Sequence, residues 1–507
     1  MPDGAEYPVI EGMSKRPSTP LRRDNRTLNG SPLEPHNGDY EAHDADEDSI
    51  DTPPPAPSSV TEVGLPTSFL NDLFLKLIFY QGPISASELA VRIALPRGVV
   101  EELLQGLKKD HLCEVAPGAS SSQNFAFRLT EAGKQRADDA LVLSRYVGPA
   151  PVPLHQYVPM ISRLRWRRWR VGQEEIRRAL SHLVLSDEIM ESVGLAFHSG
   201  RAAVIYGPSG NGKTEIVTSL SGSVSEHVIL PYALFVNGQV IRIFDPLIHE
   251  VISGEGQVVQ STGKPVPDLM RPAQERVDSR WLSIKRPVVV VGGEFSLEDL
   301  ELSYDAADRV YVAPASVQAQ GGTLVIDDLG RQRVRPADIL NRWIVPLERG
   351  YDTLVLQTGG FAVIPFRVSL VLSTNLPLEE ILDEAHLRRI PYKIRVDDPS
   401  REQFADILRR VCDEKGVPHS DTGAQYLLRR LHAQCPHIRA CFPRDIIQIM
   451  VEASHYRGRD PELAPDLIDA ACDLYLNRPL RRESYPLDHP AFEGHGYPQM
   501  PRGAASG

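Results

Sequence analysis

"AAVIYGPSGNGKTEIVTSL", residues 202–220, is an apolar run, a glycine-rich turn and then a helical pattern. The run 202–206 reads as a buried strand. The turn fits G-x-x-x-x-G-K-[ST], with Gly207, Gly212, Lys213 and Thr214 at the fixed places and Pro208, Ser209, Gly210 and Asn211 between them. Glycines let successive backbone N–H groups curl round a phosphate, and the N-terminus of the following helix adds partial positive charge. A lysine at this place reaches β- and γ-phosphates, and the hydroxyl after it ligates Mg2+. Residues 207–214 are therefore expected to bind ATP with Mg2+. The competing reading is a chance glycine turn.

Such chemistry needs a second strand that ends in carboxylates beside the metal and the attacking water. "GGTLVIDDLG" (321–330) supplies one: Asp327 is expected to hold Mg2+ through water, and Asp328 to polarise the nucleophile. The alternative is a surface turn after a strand. "RVSLVLSTNLP" (367–377) is another buried strand, ending in Ser373, Thr374 and Asn375. "DEAHLRRIPYKIRV" (383–396) reads as a helix ending in Arg388 and Arg389, then a strand. "CFPRDIIQIM" (441–450) puts Arg444 at a helix start.

Taken in order, these segments resemble the AAA+ ATPases over about residues 172–477. The resemblance implies an α/β P-loop NTPase core (172–398) and a C-terminal helical lid (399–477). It implies sensor 1 at Asn375, an arginine finger at Arg388 and Arg389 that reaches a neighbouring subunit, and sensor 2 at Arg444. It also implies a ring-shaped homo-oligomer. For each arginine taken alone, a solvated helix face is the other reading. The helix at 337–350 and the paired runs 352–359 and 360–366 look like the pre-sensor-1 hairpin of MoxR-type, enhancer-binding and Clp/Lon-like members. The whole resembles bacterial winged-helix AAA+ proteins called "ATPase with chaperone activity".

Two departures qualify the likeness. Asp328 stands where most members have Glu, so its carboxylate is one methylene shorter and slow hydrolysis is expected. The gap from Lys213 to Asp327 is 114 residues, against the ~40–50 that a helix, a strand and short loops would use. An insertion at 228–312 accounts for the excess. It holds a hairpin at 230–246 that turns at Asn237-Gly238 and the segment "VVVVGGEFSLEDLELSYD" (288–305). Together these offer either a partner or substrate surface or structural padding.

Ahead of the core, residues 67–148 read as three helices followed by strand, loop and strand, which resembles a winged helix-turn-helix. That stretch carries nine Lys/Arg against nine Asp/Glu. Phosphate neutralisation supplies most DNA affinity, so protein docking is favoured over nucleic acid. Residues 149–171 read as a linker that includes "RLRWRRWR" (163–170), where Trp166 and Trp169 either pack on the body or stack on single-stranded nucleic acid. Residues 1–66 read as a disordered acidic, Pro-rich tail, and 478–507 as a flexible one. Of the net charge of −12, −8 falls within residues 1–63, so the body is near neutral. No apolar run approaches a membrane span, no signal peptide is visible, and five cysteines without a C-x-x-C pair suit reduced thiols. A cytoplasmic location is expected. Three functions follow: an oligomeric remodelling or chaperone-like ATPase with a client or adaptor protein, an ATP-dependent nucleic-acid regulator acting through the winged helix, or a slow nucleotide switch.

Overall fold

Five strands build the central sheet: β1 (Ala203–Tyr206), β2 (Val288–Val291), β3 (Thr323–Ile326), β4 (Ser369–Thr374) and β5 (Tyr392–Arg395). Every pairing is parallel, and the spatial order is β2-β3-β4-β1-β5. Their side chains alternate between two cores. Val204, Leu324, Ile326, Leu370 and Leu372 pack on one side with Trp343, while Ile205, Val325, Val371 and Ile394 pack on the other with Ile216 and Val217. Burial on both faces explains why these strands read as unbroken apolar runs rather than as period-2 patterns. The computed structural model describes residues 52–116, 125–164, 171–223, 227–253, 257–258 and 277–476, all within the unit Asp48–Gly507.

Three helices flank the sheet at positions that matter below. They are α1 (Lys213–Ser223), α2 (Pro336–Arg349) and α3 (Glu384–Arg389). Four more, Arg401–Lys415, Asp421–Gln434, Phe442–Tyr456 and Pro465–Leu476, enclose a separate core in the C-terminal region.

The long segment between α1 and β3 divides in two. One stretch of it belongs to the central sheet: Val288–Val291 is the edge strand β2, paired in register with Thr323–Ile326. The expectation that 288–305 lies wholly within the insertion is therefore corrected, because four consecutive valines beside a buried parallel strand fill a sheet position. Four of the segment's other strands join Val152–Pro153 in a second sheet, in the order Ser303–Asp305, Val310–Val312, Gln239–Arg242, Ala233–Val236, Val152–Pro153, while His227–Pro231 pairs with Trp281–Lys285 apart from it. The hairpin within it turns at Asn237 (φ 49°) and Gly238 (φ 81°), the two positive-φ positions that an Asn-Gly turn suits. The separate hairpin formed by Tyr351–Val355 and Phe361–Pro365 buries Leu354, Ala362 and Ile364 in the core of this second sheet.

Residues 149–171 are more than a linker. Val152–Pro153 forms the edge of the second sheet, and the helix Leu154–Ser162 buries Tyr157 and Ile161 in its core. Trp166 and Trp169 lie outside the described residues, as do 1–51 and 478–507. Ahead of this helix, Thr67–Gln81, Ala86–Ile93 and Arg97–Lys109 pack with a three-stranded antiparallel sheet in which Ala126–Leu129 lies between Ile84–Ser85 and Cys113–Val115. Phe69 of this front module meets Phe235 of the second sheet, ring centroids 4.6 Å apart.

The tail expected through residue 66 ends earlier. Val60–Val63 is a helical turn with Val63 fully buried, and Pro54 O accepts from Asp278 N at 2.8 Å. A buried ion pair fastens this stretch. Arg280 donates to Asp278 Oδ2 at 2.7 Å, to Val63 O at 2.9 Å and to Gln156 Oε1 at 3.0 Å. Both charged groups are 2% exposed, so removing one leaves the other buried and uncompensated. Arg280→Met should lose ~3–5 kcal/mol of stability and expose residues 52–66 to proteases. A melting midpoint equal to wild type would contradict this role.

Candidate functional site

The sheet order puts the C-terminal ends of β1, β4 and β3 side by side, which is where open parallel sheets hold ligands. Three glycines shape the turn after β1: Gly207, Gly210 and Gly212 have φ of 134°, 86° and 79°. At Gly207 a Cβ would sit 2.2 Å from Val396 O, so a side chain is excluded by contact as well as by backbone angle. At Gly212 a Cβ would meet nothing within 4 Å, which leaves open space above the loop at the start of α1.

Lys213 opens α1 with its side chain folded back over the loop. It is 6% exposed, and its Nζ donates to Gly207 O and Pro208 O at 2.9 Å and to Asn375 Oδ1 at 2.6 Å. Burial pulls its pKa below the usual lysine range, and the nearby Asp328 and Asp327 carboxylates oppose that pull. Asn375, just past β4, turns its Nδ2 to Asp328 Oδ1 at 2.7 Å. One amide therefore links the loop lysine to the second acid. Thr214 Oγ1 lies 2.9 and 2.8 Å from the two carboxylate oxygens of Asp327. Loop, acid pair and Asn375 thus converge, although 162 residues separate Lys213 from Asn375.

This donor set fits a nucleotide and its metal. A hydroxyl and a carboxylate within hydrogen-bonding distance are hard oxygen donors of the kind Mg2+ takes one or two of, the remainder being water and phosphate. Among the described residues no group of three or more His, Cys, Asp or Glu converges to hold a metal unaided. The buried ammonium supplies the positive charge that a polyphosphate requires.

The three expected arginines are not part of this cluster. Arg388 is 76% exposed and pairs with Glu384 on its own helix α3 at 2.6 Å. Arg389 donates to Ala385 O at 2.7 Å and forms an ion pair with Glu348 of α2. Arg444 is 71% exposed and turned to Asp445 at 3.2 Å. The arginine that the C-terminal helices bring to the loop is Arg439, whose Nη1 donates to Ser209 O. Its charge acts on Lys213, adding to the downward pull on that ammonium. Sequence reading passed over Arg439 because it lies between two helices, where periodicity carries no signal.

Residues 400–474 match a family described as "Domain of unknown function (DUF8689)". No curated protein matches the sequence. Among solved structures the chain is similar to NtrX from Brucella abortus in complex with ADP, at 17% identity and a TM-score of 0.34, over 58% of this chain and 56% of that one. It is also similar to the Thermotoga maritima RuvB Holliday junction branch migration motor, at 12% identity and a TM-score of 0.33, over 61% of this chain and 72% of that one. The chain thus spans little more than half the length of NtrX. The α/β P-loop fold stands on this chain's own elements: the parallel sheet, and the strand, glycine loop and helix around Lys213. Among the described residues no helix is long and apolar enough to cross a membrane, and the five cysteines are free.

Asp328 sits on a left-handed backbone, with φ 51°. Asp and Asn enter that region several-fold more readily than longer or branched residues. The backbone thus gives a reason for aspartate in place of the expected glutamate. Asp328→Asn should unfold within about 0.5 kcal/mol of wild type, and Asp328→Glu should lose ~1 kcal/mol or more. Equal stability of the Glu variant and wild type would show that the backbone does not select the aspartate.

Proposed function

We propose that this chain is an ATPase of the AAA+ type, binding ATP with Mg2+ and hydrolysing it in an oligomer that remodels a client or adaptor protein. The observation that carries the reading is the half-buried bridge from Lys213 through Asn375 to Asp328, beside the Thr214–Asp327 pair. It joins a cation for the phosphates, oxygen donors for the metal and a carboxylate for water at the ends of three adjacent strands.

In this reading Lys213 moves from loop carbonyls to the phosphates and compensates their charge, while the loop N–H groups cradle them. Thr214 and, through water, Asp327 would hold the Mg2+, which would supply charge to offset that on the phosphate oxygens. Asp328 accepts the proton of the attacking water, and Asn375 fixes the direction of that carboxylate through its Nδ2. The shorter reach of Asp328 favours slow turnover, since a 1 Å misplacement can cost ~100-fold.

The arginine pair divides its work. The bond between Arg388 and Glu384 is a surface ion pair, worth at most ~1 kcal/mol, so Arg388 is released at little cost to reach the γ-phosphate on a neighbouring copy. Arg389 is tied to Glu348 and orients α3 on α2. We read residues 67–148 as a winged helix that docks protein. Its balanced charge and its packing on the second sheet through Phe69 and Phe235 support this.

Lys213→Ala should abolish tight Mg-ATP binding, and Asp328→Asn should keep binding while turnover falls at least tenfold, roughly the scale of losing a proton acceptor. Unchanged ATP affinity in the first variant, or unchanged hydrolysis in the second, would remove these roles. A second test addresses the shared site. Arg388→Ala combined with Arg389→Ala should hold ATP affinity within a few-fold and lose nearly all hydrolysis. Mixing it with Lys213→Ala protein should restore part of the rate, because each variant supplies what the other lacks. Normal hydrolysis by the double variant, with wild type monomeric in Mg-ATP, would contradict a site completed by a neighbour.

A further inference from the structure

The phosphate loop is held from outside by the C-terminal helical region. Ser209 O accepts from Arg439 Nη1, Gly210 O accepts from Cys441 N at 2.9 Å, and Asn211 Oδ1 accepts from Ala440 N at 3.0 Å. Three successive loop residues thus meet three successive residues at the turn entering the helix Phe442–Tyr456. The approach is close: a Cβ at Gly210 would lie 2.7 Å from Cys441 Sγ. Asn211 makes a second bond, donating its Nδ2 to Asp398 Oδ1 at 2.9 Å, where the chain leaves β5 for the helices.

Asn211 is 5% exposed, and its two partners admit a single orientation of the amide. A backbone N–H can only donate and an ionised carboxylate can only accept, so the side chain between them has to do both. A carboxylate in its place would face Asp398, and an aliphatic group of the same size would serve neither partner. The loop pattern G-x-x-x-x-G-K-[ST] leaves this position open, so phosphate binding does not explain the asparagine. The clasp to the entry of the helical region at Asp398 and to the turn before its third helix at Ala440 does.

Resting on the ATPase reading above, we propose that Asn211 is a positioning residue that seats the helical region on the phosphate loop and thereby delivers Arg439 to the nucleotide. It acts through Ala440 and Arg439 and touches no reacting atom itself. Grip on the nucleotide stays with Lys213 and the loop glycines, so the ATP KM should hold within about threefold when the clasp is broken. The helical region then loses its seat and Arg439 its placement, and kcat should fall at least about tenfold, since displacement by 1 Å can cost ~100-fold.

The partners allow an exchange. Asn211→Asp sets two carboxylates against each other, whereas Asn211→Asp with Asp398→Asn restores a donor opposite an acceptor and keeps the bond from Ala440. His437 Nδ1 stands 3.2 Å from Asp398 Oδ2, and the amide oxygen of the exchanged residue can still serve it. The test compares kcat, KM for ATP and melting midpoint in the full-length wild type, both single variants and the exchanged pair. The expected result is slow turnover with near-normal KM in Asn211→Asp, and recovery of kcat to within a few-fold in the exchanged pair. Wild-type kcat in Asn211→Asp overturns the proposal, as does an exchanged pair that stays slow or fails to fold. If the singles unfold, recovery in the exchanged pair alone still supports it. Absence of both ATP binding and hydrolysis in wild type would instead remove the ATPase reading on which the proposal stands. Hydrolysis by wild type without recovery in the pair would remove the proposal alone.

Discussion

A lysine ammonium at 6% exposure has to be met on every side by acceptors, and the architecture around Lys213 follows from that requirement. Two loop carbonyls and the amide oxygen of Asn375 meet it. Asn375 can do so only because β4 runs beside β1, and it passes the interaction to Asp328 only because β3 runs beside β4. The parallel sheet is thus the frame that brings one cation and two carboxylates together. Loss of water from the ammonium lowers its pKa, and Asp328 and Asp327 hold the charge in place. A charge kept this way at the mouth of a glycine loop suits a polyphosphate, because the anion replaces neutral acceptors with a stronger one.

The second sheet gives the molecule a body that the nucleotide core alone would lack. Residues from 150–162, 227–253, 277–285 and 303–312 contribute to it, and the hairpin at 351–365 packs on the same core. A buried histidine links it to the segment ahead of β3. His249 accepts from Asp245 N through Nδ1, which leaves its Nε2–H to donate to Gln318 O at 2.8 Å. Burial lowers its pKa and keeps the ring neutral, as that pair of bonds requires. The front module closes on the far side of this sheet through Phe69, Tyr146 and the segment fastened by Arg280.

Much of the candidate site's geometry was legible in the sequence because its residues lie at fixed spacings. Gly207, Gly212, Lys213 and Thr214 stand at fixed spacings within the stretch 207–214, and Asp327 and Asn375 each follow a buried strand. The edge strand β2 was hidden by position. Four valines after a long insertion carry no period, and only pairing with Thr323–Ile326 assigns them to the central sheet. The residues 149–171 read as a linker because prolines dominate their start, yet Tyr157 and Ile161 are fully buried. Arg439 and the two hydrogen bonds of Asn211 depend on how the helical region sits on the loop. No local pattern encodes such contacts, since their partners lie 187 to 230 residues apart along the chain.

The central claim is that the loop at 207–214 grips the phosphates of a nucleotide rather than serving as a glycine turn. Calorimetric titration of the full chain with ATP, ADP and AMP, each with Mg2+, tests it most directly, because the loop acts on the β-phosphate that AMP lacks. The account predicts saturable binding of ATP and ADP at one nucleotide per chain, with no AMP binding over the same concentration range. No saturable heat with ATP, or AMP binding as tightly as ADP, would contradict it.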